Sequence, residues 1–265
     1  MIYLKTYFYS PNELNFVNMN LMEGEGKFDK FILCEFNTTH TGLSREFIFD
    51  KYKHMIPEKF WDRIIYLKCD IKKQVVDAFQ NESLAHNVNE RLMRGFFTSM
   101  MELNDDDVII SVDADEIIYR EAYDSILEGV RKHGDVTLKL RPFFYKLNYH
   151  WIDNPYNAPM ATTYGRHKRQ YPYQWRYEGK LLDEQMGCHF SWCMTVDDMM
   201  KKLDSFAHVE HRKNVNREIM EEAVKNKEYP FFSRPFNIET IERNSELLPK
   251  SIQNPFFDVF WSQFS

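Results

Sequence analysis

Asp113 and Asp115 stand one residue apart, directly after the apolar run Val108-Ile109-Ile110-Ser111-Val112. In extended chain, alternate side chains share a side, so the two carboxylates can face one cation while small Ala114 leaves the other side unobstructed. Hard oxygen ligands of this kind suit Mn²⁺ or Mg²⁺. An isolated Asp-x-Asp also ends many strands as a solvated acidic turn. Three details favour a site: the preceding run reads as a wholly buried strand, Glu116 adds a third carboxylate, and three crowded like charges are costly without a cation.

A nucleoside diphosphate would be repelled by Asp113 and Asp115 unless a divalent ion and nearby cations intervened. Arg91 and Arg94, the cluster Arg166-His167-Lys168-Arg169, and the segment from Lys201 to His211 are the available sources. In the last of these, Lys202 can supply a phosphate-pairing ammonium and His208 a metal-ligating imidazole. The segment Gly187-Cys188-His189-Phe190-Ser191-Trp192-Cys193 brings together two thiols and an imidazole, but at a spacing that matches no common zinc pair, and neither thiol sits in a nucleophile turn. Glycine-rich phosphate loops are absent. Among the many aromatics from Phe143 to Tyr177, Trp151 and Trp175 are candidate platforms for sugar rings, whose apolar faces pack on π faces.

Short apolar runs must position these groups: Ile2 to Phe8, Phe31 to Cys34, Ile64 to Leu67, Val108 to Val112 and Val136 to Leu140. Separated by amphipathic stretches, they predict an α/β sandwich. Leu84, Val88, Leu92, Phe96 and Met100 recur every four residues and predict a helix, with Asn87, Arg91, Arg94 and Thr98 on a different face. Val215 to Lys227 predicts a second, polar helix, after which Pro230, Pro235, Pro249 and Pro255 break the chain into turns. Open α/β sheets bind ligands outside the carboxyl ends of their strands, where the acidic cluster stands.

With 265 residues, 28% charged and 43% hydrophobic, disorder, collagen and coiled coil are excluded. We expect one domain over 1–265, with a nucleotide-sugar half at 1–141 and an acceptor half and C-terminal segment at 142–265. The formal charge of −6 argues against nucleic-acid partners and anionic lipid. No run of about 18 apolar residues spans a membrane. Met1 to Tyr9 lacks the basic stretch and apolar block of an export signal, and the four cysteines are too sparse for a disulfide scaffold, so a cytoplasmic location is expected.

The order of these blocks resembles glycosyltransferase family 17, the family of the bisecting N-acetylglucosaminyltransferase, and especially its compact microbial and viral members. Tyr9-Ser10-Pro11-Asn12-Glu13-Leu14 is similar to the family's opening pattern, and Phe31 to Glu35 with Thr41-Gly42 to its second strand. The resemblance continues through the helix bearing Glu90 and Arg94, Ile109 to Glu116, Gly187 to Cys193 and Lys202 to Glu210, and reaches Leu248-Pro249 and Asn254-Pro255. Two positions depart: Ile118 stands where the family usually has Pro, and Cys188 where it has Trp.

The resemblance implies a GT-A (Rossmann-like) fold with a mostly parallel central sheet. It also implies a UDP-sugar donor, UDP-N-acetylglucosamine in characterised members, transferred with inversion to a carbohydrate or glycoprotein acceptor. Carried over, Asp113 and Asp115 take the metal and ribose end of the donor, and His208 is the third metal ligand. Asn12, Glu35, Arg94 and Lys202 contact the nucleotide sugar, while Trp151, Trp175, His189 and Trp192 hold the acceptor. Inverting transfer needs a carboxylate base; Glu116 is the first candidate, with Asp183 and Glu184 behind it. The rivals are a metal-dependent phosphohydrolase or nucleotidyltransferase on the same acidic strand end, and a carbohydrate-binding protein without turnover.

Overall fold

The computed structural model describes residues 1–71, 82–170, 178–205 and 209–265. In chain order these form β1 (Ile2–Phe8), α1 (Glu13–Glu23), β2 (Lys30–Phe36), α2 (Phe49–Tyr52), β3 (Ile64–Cys69), α3 (Glu82–Gly95), β4 (Val108–Ser111), β5 (Glu116–Ile118) and α4 (Ala122–His133). There follow β6 (Val136–Phe144), β7 (Tyr149–Trp151), β8 (Tyr156–Thr163), α5 (Tyr164–Gln170), β9 (Lys180–Ser191), α6 (Val196–Ser205), α7 (Arg217–Asn226), β10 (Ile238–Thr240) and α8 (Asp258–Phe264).

The five apolar runs are β1, β2, β3, β4 and β6. The first four pair in parallel in the order β3-β2-β1-β4, joined by helical crossovers, which is the Rossmann-like half of an α/β fold. Beyond β4 the sheet becomes mixed. β8 runs antiparallel between β4 and β6, β7 and β10 extend the edge, and β9 pairs parallel to β6 and antiparallel to β5. Parallel pairing thus links the four strands β3, β2, β1 and β4 and, separately, β6 with β9, and residue 141 falls inside β6.

Alternation along β1 divides the core. Leu4 and Phe8 enter a cluster with Phe16 and Val17 of α1, Ile126 of α4 and Phe260 of α8. Tyr3 and Tyr7 enter the opposite cluster with Met93, Phe97 and Tyr164. A third, aromatic cluster joins Phe144, Trp151 and Trp192 to α6 and α7 through Met199, Leu203 and Met220. The predicted polar helix is α7, whose Asn216 cap accepts from the Ile219 N–H at 2.9 Å.

The predicted long helix ends at Gly95 and tightens into a 3₁₀ turn over Phe96–Ser99. Met93 and Phe97 are buried while Met100 is exposed, so the buried stripe lies one position from the predicted one. Arg94, expected on the polar face, is only 6% exposed because carboxylates meet it there. Among the described residues no helix is long and apolar enough to cross a membrane.

Candidate active site

The carboxyl ends of β1 and β4, the β4–β5 turn and the end of β9 open onto one cavity of about 560 Å³. Its near wall carries Tyr7, Tyr9, Glu13, Glu90, Arg94, Asp113 and Asp115. Gly187 lets β9 press against β5 behind this turn, since a Cβ there would stand 1.9 Å from the Ile117 carbonyl oxygen. The main chain is fixed further by the Phe190 N–H donating to the Asp115 carbonyl at 2.8 Å.

Asp113 is clamped. Arg94 donates through Nη1 to Oδ1 at 2.5 Å and through Nη2 to Oδ2 at 3.1 Å, while its Nε and Nη2 reach Glu90 Oε1 at 3.0 and 2.5 Å. Asp115 is held more loosely, with Lys202 Nζ at 3.7 Å and His189 Nε2 at 3.8 Å. Lys202 lies 5.1 Å from the Trp192 ring centroid, and His189 stacks on Tyr156 at 3.9 Å. Trp192 has φ +58, a left-handed conformation costing on the order of 1–2 kcal/mol in a non-glycine residue, as is common where a side chain must face a ligand.

Glu13 is the first residue of α1, and its side chain reaches back to the turn after β1. Its Oε2 accepts from the N–H groups of Tyr9 at 2.6 Å and Ser10 at 3.2 Å. Desolvation pushes its carboxyl up to about 7, opposed by those two hydrogen bonds and assisted by the nearby Asp115 charge.

The far wall is aromatic: Phe144, Trp151, Tyr229, Phe231 and Phe232, with Asn154, His211 and Arg234 among them. Thus Arg94, Asp113, Asp115, Lys202, Trp151, His189 and Trp192 meet around one space. Trp175 and His208 lie outside the described residues.

Five expected residues do not line the cavity. Glu116 is fully buried, accepting from the Asp113 N–H at 2.6 Å and the Tyr156 hydroxyl at 2.7 Å. It braces the turn from behind: residues 113–116 close a hydrogen-bonded turn, the Glu116 N–H donating to the Asp113 carbonyl at 3.0 Å, and the carboxylate folds back onto the Asp113 N–H. Asp183 and Glu184 are exposed on β9, Glu184 about 16 Å along the strand from His189 at 3.3 Å per residue. Glu35 is fully buried and accepts from the N–H groups of Ile48 and Phe49 at 2.7 and 3.1 Å, the Tyr66 hydroxyl at 2.5 Å and Arg45 at 3.5 Å. It pins the segment after β2 and does not face the cavity. Asn12 donates to Asp198 at 2.8 Å, tying the β1–α1 turn to the helix that carries Lys202.

Glu35→Ala should therefore cost about 3–5 kcal/mol of folding stability, measured by urea unfolding, because four donors lose a buried acceptor. A stability change below about 1 kcal/mol would refute this anchoring role.

The four cysteines are free and buried, and desolvation pushes the thiols of Cys188 and Cys193 up, which suits neither zinc nor nucleophilic chemistry. Sequence reasoning did not single out Glu13, His40, Tyr156 or the Tyr229–Arg234 segment. For the last, a run of aromatics and an arginine between Pro230 and Pro235 was the available signal.

No curated protein matches the sequence. Among solved structures, S. aureus TarS 1-349 superposes with TM-score 0.29 at 11% identity, covering 53% of this chain and 36% of that one. Its complex with UDP gives TM-score 0.35 at 9% identity, covering 85% and 70%. A 4-diphosphocytidyl-2C-methyl-D-erythritol synthase gives TM-score 0.33 at 12% identity, covering 62% and 73%. In the first alignment the chain spans little more than a third of the TarS fragment, and superpositions this partial carry no weight for substrate. The sequence model of glycosyltransferase family 17, in contrast, matches residues 6–227, most of the chain and nearly every cavity-lining segment, so the protein belongs to glycosyltransferase family 17.

Proposed function

We propose that the protein transfers a sugar from a nucleoside diphosphate to a carbohydrate acceptor with inversion, UDP-N-acetylglucosamine being the first donor to test. One observation carries this reading: in a family 17 chain, a single cavity joins an ionic wall suited to a nucleotide diphosphate to an aromatic wall suited to sugar rings.

On the ionic side, Lys202 is braced by the Trp192 face and can pair a phosphate oxygen, while the Arg94 clamp fixes Asp113 for contact with the donor. No group of three or more His, Cys, Asp or Glu side chains converges among the described residues. Mg²⁺-type ions are nonetheless held by one or two carboxylates together with substrate phosphates, and Asp115 fits that demand. Asp115, with Asp113 beside it and His208 as a proposed third ligand, would hold Mn²⁺ or Mg²⁺, which supplies charge stabilisation to the departing diphosphate.

The acceptor hydroxyl oxygen bonds to the anomeric carbon as the bond to the diphosphate breaks, the electron pair leaving with the diphosphate. The proton needs a cavity carboxylate. Glu13 is the proposed recipient, since it lines the cavity and its carboxyl sits near 7.

The test is a thermal-shift panel of nucleoside diphosphates and nucleotide sugars with and without Mn²⁺, followed by mass detection of glycosylated oligosaccharides. A ligand at 100 times its Kd stabilises the folded state by about 2.7 kcal/mol, a shift of several degrees. One nucleotide should give a Mn²⁺-enhanced shift and its sugar should appear on an acceptor. Hydrolysis of nucleotides without transfer, or no shift with any of them, would overturn the proposal.

A further inference from the structure

The two ends of the cavity differ in how their cations are matched. At the β4 end Arg94 meets Asp113 and Glu90, and Lys202 stands near Asp115. At the far end Arg234 lines the same space but forms no ion pair with a carboxylate among the described residues. Its Nη2 donates to Asn154 Oδ1 at 2.9 Å, and its Cζ lies 4.4 Å from the Trp151 ring centroid, 5.1 Å from Tyr229 and 5.8 Å from Phe232. Aromatic faces hold a guanidinium plane without consuming its N–H groups, and Arg has five of them. Beside it, Trp151 is 3% exposed, and its indole N–H has no acceptor among the described residues. Buried donors without acceptors are costly, so this corner is short of oxygen atoms.

Building on the acceptor site proposed above, we infer that the acceptor is an acidic glycan whose carboxylate or phosphate is read by Arg234 and the Trp151 indole N–H. Strand order runs β7-β6-β8-β4, so Trp151 lies three strand spacings, about 14 Å, from the β4 end. The anionic group therefore belongs to a ring beyond the one that receives the sugar. Tyr229, Phe231 and Phe232 supply flat faces for the intervening rings. A chain of net charge −6 repels anions at large, which makes any anion preference a local property of this corner.

The test uses three probes matched in length: a neutral β-linked glucose trisaccharide, the same trisaccharide with a uronate end ring, and the same with a 6-phosphate on that ring. Inorganic phosphate and free glucuronate serve as controls. Binding is read by ligand-observed NMR in the wild type, Arg234→Gln, Arg234→Lys and Trp151→Phe. The wild type should bind at least one charged trisaccharide about tenfold more tightly than the neutral one at low salt, and the margin should shrink at 0.5 M salt. R234Q should reduce it to under about twofold, R234K should retain part of it, and W151F should lower it a few-fold with the ring preserved. Comparing uronate with phosphate identifies the group, and binding of the free ions alone would show that no glycan is required and overturn the inference.

Equal affinity for neutral and charged probes, discrimination that survives R234Q, or no binding by any trisaccharide would also overturn it. The nucleotide thermal shift is recorded on the same samples. If that shift persists while discrimination is absent, only the acidic acceptor falls; if the shift is absent too, the transferase reading falls with it.

Discussion

Asp115→Asn should lower sugar transfer about 10³-fold while leaving the melting temperature of the free protein nearly unchanged. The size follows from removing a charged group aimed at developing diphosphate charge, a loss of several kcal/mol in a water-poor site. The small stability cost follows from the surroundings: Lys202 and His189 stand 3.7 and 3.8 Å away, outside hydrogen-bond distance, and the Lys202 side chain is 32% exposed and can be solvated. The main-chain bond from Phe190 to the Asp115 carbonyl does not depend on the side chain.

Asp113→Asn makes the contrasting case. It should reduce transfer comparably and also destabilise the fold by about 3 kcal/mol, because buried Arg94 then loses the carboxylate charge that it grips through both Nη atoms. Initial rates across a Mn²⁺ titration, with melting curves for both variants, read the two effects separately. If D115N transfers at wild-type rate, the ionic wall is not where the donor binds.

This contrast between neighbouring aspartates was not legible in the sequence, although their shared position was. Val108 to Val112 is apolar enough to specify a buried strand, and the rule that ligands gather at strand carboxyl ends did the rest. The burial of Arg94 depends on the carboxylates that meet it, Asp113 from beyond β4 among them, which four-residue periodicity does not report. Glu116 shows a different limit. Its nearness to Asp113 and Asp115 suggested a third site carboxylate, but the chain turns at Asp113–Glu116, and Tyr156 and the Asp113 N–H claim the side chain.

The far half of the cavity was less legible for a topological reason. Trp151, Tyr229 and Arg234 reach one another through β7 and the segment after α7, about 80 residues apart, as the 80-residue separation of Arg234 and its partner Asn154 shows. Periodicity describes single elements, whereas this wall is assembled from a short edge strand and a proline-bounded segment that carry no period. The sheet's change from parallel to mixed beyond β4 has the same origin: the direction in which β6, β8 and β9 pair is set by long-range partners that no single strand's pattern encodes.

Glu13→Gln is the second large effect, an expected loss of about 10²–10⁴-fold in kcat with little change in the nucleotide-induced thermal shift. Glutamine keeps an oxygen for the N–H groups of Tyr9 and Ser10, so the β1–α1 turn persists while the proton acceptor is lost. With the carboxyl near 7, wild-type kcat/KM should rise with pH to a plateau above about 7, and the variant should lack that limb.

Stability supplies a check independent of activity. The folded carboxyl titrates near 7 against an ordinary 4.5, so between these values the native state holds the proton more tightly than the unfolded chain, and stability falls as pH rises through this window. E13Q removes that loss: it should raise the melting temperature by about 3–6 °C at pH 8.5 and by under about 1 °C at pH 4.5. A flat kcat difference across pH with the stability gain present would make Glu13 a donor-positioning residue. Loss of the nucleotide shift would assign it to nucleotide binding, and wild-type turnover in E13Q would leave the proton to Asp115.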